Sequence, residues 1–197
     1  MDESTITTYN KLAKVYDDET ITFWEEFPRT FLDQFIALSG RTVLDVGSGP
    51  GRDGLLLKDA GKDMTCIDAS DEMVRLSAER GLTSVLGNFE SLPFDDLSFD
   101  AVWSYTALLH IPKSSLPAAL CEIARVLKNG GMFALGMIEG DTEEYRNNMD
   151  EGMPRLFSYY QKEELENIVC AQGFELVYFE TFKPNSRNYL NFLFKKK

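Results

Sequence analysis

The sequence predicts an α/β fold: a mostly parallel sheet covered by helices on both faces and closed by an antiparallel strand pair. Three observations carry this reading. Short apolar runs alternate with amphipathic stretches of helical period across the middle of the chain. The first apolar run ends in a glycine-rich turn, "GSGPGRDG", that leads straight into a helical pattern. The last two apolar runs are joined only by "KPNSR", a connection too short for anything but antiparallel pairing.

The first forty residues read as two helices, broken around Pro28 and laid across the top of the sheet. The strands that follow are expected at "TVLDV", "MTCID", "SVLG", "AVWSY" and "MFALGMI". Between the first two, "GRDGLLLKDAG" reads as a helix opening on glycine and closing at Gly61. "SDEMVRLSAERG" has Ser70 as its N-cap, acids in its first turn and a glycine stop at Gly81. "SSLPAALCEIARVLKNGG" places Leu116, Leu120, Ile123 and Leu127 on one helical face and again ends in glycine. A last helix, "QKEELENIVCAQG", precedes the strand pair "FELVYFETF" and "NYLNFLFKK". One domain is expected over residues 1–197: a helical cap at 1–40, a core at 41–138, and a lid segment, last helix and strand pair at 139–197.

Composition narrows the function. With 20 basic and 32 acidic residues the net charge is -12, which argues against free nucleic acid as the main partner, because phosphate contacts need a basic face. Cys66, Cys121 and Cys170 are far apart and form no metal-type pair, so neither a metal site nor a disulfide framework is expected. The acidic opening "MDESTITTYNKL" has no apolar core, and no apolar run approaches the ~20 residues of a membrane helix. A cytoplasmic protein with no membrane partner, monomer or homodimer, is the expectation.

The glycine turn lies between a strand and a helix, where backbone N–H groups and the helix dipole favour a negative ligand group. Two spacings overlap. Gly49, Gly51 and Gly54 fit a dinucleotide fingerprint, whereas Gly47, Gly49 and Gly51 preceded by Asp45 fit a different ligand. A loop that merely turns tightly is the third reading. Asp45 favours the second, because a carboxylate there repels a pyrophosphate and attracts a ligand bearing ammonium and sulfonium groups.

At this point the residues resemble a family. "VLDVGSGPG", "MTCIDASDEMV", "GNFESLPFDDLSFDAVWS" and "ARVLKNGGMFAL" resemble, in order, four motifs of class I S-adenosylmethionine-dependent methyltransferases, over roughly residues 43 to 138. The resemblance implies a Rossmann-like sandwich whose seven-stranded, mostly parallel sheet carries an antiparallel C-terminal pair, with S-adenosylmethionine as cofactor. It implies that Asp45, Gly47, Ser48, Gly49 and Gly51 line the methionine part. Arg52 pairs with the methionine carboxylate or is a surface arginine. By the same likeness Asp68 holds the ribose hydroxyls, Ala69 and Met73 pack on the adenine, and Asn88 and Phe89 border its edge, with Asn88 at the exocyclic amine where many relatives have aspartate. Ser104, at the end of strand four, is expected near the reacting methyl group, its backbone carbonyl facing the cofactor amine. "YNKLAKVYDDE" resembles an N-terminal helix whose tyrosines close over the cofactor, here Tyr9 and Tyr16.

His110 is the only histidine, and it follows the fourth core strand in "TALLHIP". It is either a general base for the acceptor or a histidine that packs the turn before Pro112. Arg155, Tyr159 and Tyr160 are candidate substrate contacts, or an anchor for the last helix with Ser158 near its cap. The Asn/Asp-Pro-Pro-aromatic motif of nucleic-acid amino-methylating enzymes is absent after strand four, which reads "WSYTAL", and no cysteine follows a proline. With only a small cover available, a small-molecule acceptor is expected. An NAD-dependent oxidoreductase and a non-catalytic cofactor-binding protein are the alternatives.

Overall fold

The structure is a computed structural model that describes all residues except Met1, Asn148 and Asn185. Five parallel strands form its centre: β1 (Thr42–Val46), β2 (Asp63–Asp68), β3 (Thr83–Leu86), β4 (Phe99–Tyr105) and β5 (Leu127–Ile138). The C-terminal strands β8 (Phe174–Phe182) and β9 (Tyr189–Lys196) complete a seven-stranded sheet of order β3-β2-β1-β4-β5-β9-β8. β9 runs antiparallel to both β5 and β8. Strand order reverses between β1 and β4, and ligands of open α/β sheets bind beyond the carboxyl ends of the strands at such a point.

The helices α4 (Arg52–Asp59), α5 (Asp71–Glu79), α6 (Leu116–Val126) and α7 (Lys162–Cys170) lie where the periodicity puts them. Ser70 caps α5 by accepting the Met73 N–H at 3.2 Å. α7 is capped by Gln161 in a capping box with Glu164, whereas the Ser158 hydroxyl donates to the Ile111 carbonyl at 2.6 Å and caps nothing. α6 ends at Val126, earlier than its apolar period suggests. Leu127 is buried but extended and opens β5, which pairs first with Phe99 and resumes only at Met132, so "KNGG" is an irregularity within the strand.

The N-terminal cap differs from the two helices expected. The break at Pro28 is present, but the chain also interrupts itself after residue 20, giving α1 (Glu3–Thr20), the single turn α2 (Phe23–Glu26) and α3 (Thr30–Leu38). α1 lies over the sheet's carboxyl end against α5 and the segment Arg155–Ser158. α3 instead packs on a sheet face, burying Phe31, Leu32 and Phe35 against Trp103. The lid segment contains a hairpin, β6 (Glu143–Arg146) with β7 (Arg155–Ser158), whose second strand is wholly buried. No helix among the described residues is long and apolar enough to cross a membrane.

One buried carboxylate ties these layers together. Asp53, in the first turn of α4, accepts the Trp24 indole N–H at 2.8 Å, the Trp103 indole N–H at 3.0 Å and the Arg52 Nε–H at 2.6 Å. It joins α2, β4 and the glycine turn, all out of water. Removing it strands three buried donors, a loss that costs about 3–5 kcal/mol where a buried ion pair is broken. Asp53→Ala is expected to lower unfolding free energy by about that amount, read as a shift of the urea midpoint at unchanged slope.

Candidate functional site

The site begins where β1 stops. Gly47 adopts φ 74° and lies so close to the β4 loop that a Cβ there would sit 2.3 Å from the Ala107 Cβ. Its N–H and that of Ser48 both donate to the Ile67 carbonyl, at 2.8 and 3.1 Å, which binds the turn to the end of β2. Gly51, at φ 85°, starts α4, but a Cβ on it would meet Leu82 and Ser77. That glycine therefore serves helix packing and does not line the cavity, contrary to the sequence reading.

Two carboxylates end adjacent strands. Asp68 accepts the Gly49 N–H at 2.8 Å and the Ser70 N–H at 2.9 Å, one on each oxygen. Burial raises its pKa and these backbone donors oppose the rise. The Ala69 N–H is a third backbone donor to this carboxylate, which leaves it one acceptor position of about four. Asp45 is 2% exposed, and its Oδ2 has no hydrogen-bond partner among the described residues. Burial, reinforced by the neighbouring Asp53 and opposed by Arg52, pushes its pKa well above the usual carboxylate range. The Arg52 side chain is only 13% exposed: besides its bond to Asp53 it donates to the Thr20 carbonyl at 3.3 Å and lies over the Phe23 ring. It is not a surface arginine.

Three adjoining cavities converge here. One, about 60 Å³, is bounded by Gly47, Gly49, Asp68, Ala69, Met73 and Phe89 under the α1 tyrosines. A second, about 30 Å³, holds Asp45, Ser48, Gly49 and Arg52. The third, about 210 Å³, opens outward from Tyr9, Tyr16 and His110 towards Arg155. Thus thirteen of the eighteen sequence-predicted site residues border one space: Tyr9, Tyr16, Asp45, Gly47, Ser48, Gly49, Arg52, Asp68, Ala69, Met73, Phe89, His110 and Arg155.

The others do not, and the reasons are local. Gly51 is turned to the helix layer. The Asn88 carboxamide oxygen accepts the Glu90 and Ser91 N–H groups at 2.9 and 3.0 Å, folding back on its own loop as Asn commonly does. Ser104 is fully buried and its hydroxyl donates to the Val46 carbonyl, so Tyr105, Thr106 and Ala107 occupy the mouth instead. Tyr159 accepts a hydrogen bond from Arg146 and stacks on Phe157, while Tyr160 packs under Lys113. Neither reaches the three cavities. The sequence reading also missed Phe23, Tyr105, Thr106, Phe157, Arg187 and Tyr189, which line the outer cavity. Thr106 has φ 52°, a strained conformation for a β-branched residue and a recurrent mark of functional sites.

Over the junction sits a hydrogen-bonded chain whose polarity can be assigned. His110 Nδ1 lies 2.6 Å from the Leu156 carbonyl, which can only accept, so Nδ1 carries the proton. Nε2 then accepts from the Tyr9 hydroxyl at 2.8 Å, and that hydroxyl accepts from Arg155 at 2.7 Å. Tyr9 meets Tyr16 edge-on at 5.3 Å. Burial holds the imidazole neutral, its pKa pushed down to about 3. Burial also raises the Tyr9 phenol. The same elements lock the cover, since Thr5 accepts the Leu156 N–H at 2.9 Å and Thr8 donates to the Pro154 carbonyl at 2.8 Å.

A family model described as "Methyltransferase domain" matches residues 44–135. A malonyl-[acyl-carrier protein] O-methyltransferase from Herminiimonas arsenicoxydans is 31% identical over 177 residues, covering 86% of this chain and 66% of that protein. The chain belongs to the class I S-adenosylmethionine-dependent methyltransferase family. Solved structures share its fold. The DhpI complex with S-adenosylhomocysteine superposes with a TM-score of 0.80 at 19% identity, covering 98% of this chain and 96% of that one. The 1,6-didemethyltoxoflavin-N1-methyltransferase of Burkholderia thailandensis does so at 0.73 and 21% identity, covering 98% and 88%.

The methyltransferase cofactor is S-adenosylmethionine, and the residues here fit it on their own chemistry. Asp45 presents a buried acceptor oxygen without a partner, suited to a cationic group. Asp68 borders the cavity with remaining acceptor capacity for a hydroxyl, and Met73 with Phe89 supplies apolar walls.

Two expectations follow. The folded-state pKa of Asp45 lies above its unfolded value, so the folded chain holds that proton more tightly and stability falls as pH rises through the interval. Asp45→Asn is therefore expected to raise the melting temperature of the ligand-free protein at pH 7 while weakening S-adenosylmethionine binding, both read by thermal shift with and without cofactor. His110 has the opposite sign. Its folded pKa of about 3 lies below the model-peptide value of 6.5, so its contribution is intact above about 6.5 and is lost as pH falls towards 3. The stability difference between wild type and His110→Asn, from urea titrations, is expected to shrink across that window.

Proposed function

We propose that this chain is a single-domain enzyme that transfers the methyl group of S-adenosylmethionine to a small molecule held in the outer cavity. The observation that carries the reading is the meeting of two cavities at Tyr9, Tyr16, Tyr105, Thr106 and His110, one bordered by Asp68 and the glycine turn, the other open to the outside. The bound cofactor supplies a carbon already activated by its sulfonium. The protein's task is alignment and the exclusion of water.

In this reading Asp45 faces the amino group, Asp68 the ribose hydroxyls, and Ala69, Met73 and Phe89 the adenine. Tyr9 and Tyr16 roof the reacting centre. His110 is a positioning residue: a neutral imidazole, already engaged on both nitrogens, orients the Tyr9 hydroxyl and is a poor general base. The small cavities, the acidic net charge and the absent nucleobase-methylating motifs support a small-molecule acceptor over nucleic acid. A cytoplasmic monomer or homodimer fits the same picture.

Calorimetry with S-adenosylmethionine, S-adenosylhomocysteine and NAD is expected to show binding of the first two only. Each charge-assisted hydrogen bond from a ribose hydroxyl to Asp68 is worth about 1.5–3 kcal/mol. Asp68→Ala is expected to weaken S-adenosylhomocysteine binding more than tenfold while the far-ultraviolet dichroism stays unchanged. Tighter binding of NAD than of S-adenosylhomocysteine overturns the reading.

A further inference from the structure

The outer cavity has a charge pattern that the composition of the chain does not foretell. The protein carries an excess of twelve negative charges, yet three arginines border this cavity and a single acid, Glu19, which is exposed on α1. Arg52 is met by Asp53, and Arg155 lies over the Tyr9 and Phe157 rings while donating to the Tyr9 hydroxyl. Arg187 differs from both. It is half-buried at the approach to β9 and makes no ion pair or hydrogen bond with any described residue. A half-sequestered guanidinium without a counter-charge gains most from a planar anion that accepts its paired N–H donors.

The walls define the rest of the ligand. Phe23, Tyr105, Phe157 and Tyr189 border the cavity, and the Tyr105 and Tyr189 rings stack in parallel, within 4° and 6.5 Å between centroids, as an aromatic part of its wall. The volume of about 210 Å³ exceeds that of an apolar cavity of roughly 150 Å³ that binds benzene, room for a small ring compound. Arg187 also borders the neighbouring cleft that holds Glu139 and Arg146, which sets it at the outer rim, away from Thr106 and His110.

Resting on the methyltransferase reading above, we infer that the methyl acceptor is a small aromatic carboxylic acid, its ring against the Tyr105–Tyr189 wall and its carboxylate on Arg187. The carboxylate is the handle at the rim, and the nucleophilic atom on the ring points inward to Thr106 and Tyr9. Arg187 is thereby a specificity residue.

The test is calorimetry on protein saturated with S-adenosylhomocysteine, using hydroxybenzoates and hydroxycinnamates against their carboxamides. These pairs match in shape and differ in charge. At least one acid is expected to bind ten or more times tighter than its amide. Arg187→Gln is expected to abolish that preference and Arg187→Lys to restore part of it. S-adenosylhomocysteine affinity, measured on every variant, reports that the fold and cofactor site are intact. Equal binding of acids and amides, no binding of either class, or a preference that survives in Arg187→Gln each overturns the inference. Failure of wild-type protein to bind S-adenosylhomocysteine is a separate result, and it removes the methyltransferase reading itself.

Discussion

Asp53 sits where the glycine turn becomes a helix, and its carboxylate is pinned by two indoles and a guanidinium. The Trp24 bond brings the N-terminal cap down onto the sheet. The Trp103 bond fixes the helix start against β4, whose far end opens into Thr106 and Ala107. Because Arg52 is held in the same knot, the guanidinium is fixed before any ligand arrives, and preorganised donors need no reorganisation when they act. The floor of the site and the stability of the N-terminal layer therefore rest on one side chain.

That arrangement has an electrostatic cost, and the cost falls on Asp45. Two buried carboxylates stand near a single, mostly covered guanidinium, and its hydrogen bond goes to Asp53. Asp45 is left with an acceptor oxygen directed at nothing in the chain's described part. An apolar residue there would suit the empty fold better; a cationic ligand suits the carboxylate. The same logic, with the sign reversed, operates at the outer rim around Arg187. Inner acid and outer cation give the combined space a polarity that orders two ligands of opposite charge within it.

The fold was legible because its signals are local. Apolar runs of strand length, Ser70 as a cap and glycine stops need only their neighbours in sequence. The inner site was legible for the same reason, since Asp45, Gly47, Gly49 and Asp68 lie on two consecutive strand ends. What failed was whatever depended on distant chain. Asn88 was expected at the adenine's exocyclic amine, but an amide two residues from free N–H groups closes on its own loop. Arg52 offered no hint that Phe23 and the Thr20 carbonyl would cover it. Phe23, Arg187 and Tyr189 come to one wall from opposite ends of the chain, and no periodicity within either segment announces that. Leu127 fitted its helix by spacing, and only its pairing with Phe99 assigns it to the strand.

The place of β9 bears on how the protein is made. It is inserted between β5 and β8, both of which precede it in the chain, and it pairs with β5 from Met132 to Ile138. A chain emerging in order presents β5 with a bare apolar flank until residues 189–196 arrive, so pairing of distant sequence comes last and is slow. The β5 edge is until then unpaired, a template for the wrong strand of another copy. Tyr189, a wall of the outer cavity, arrives with that same strand. Completion of the sheet and completion of the acceptor wall are thus one event in the life of the chain, and a copy caught before it is at once prone to associate and without its outer site.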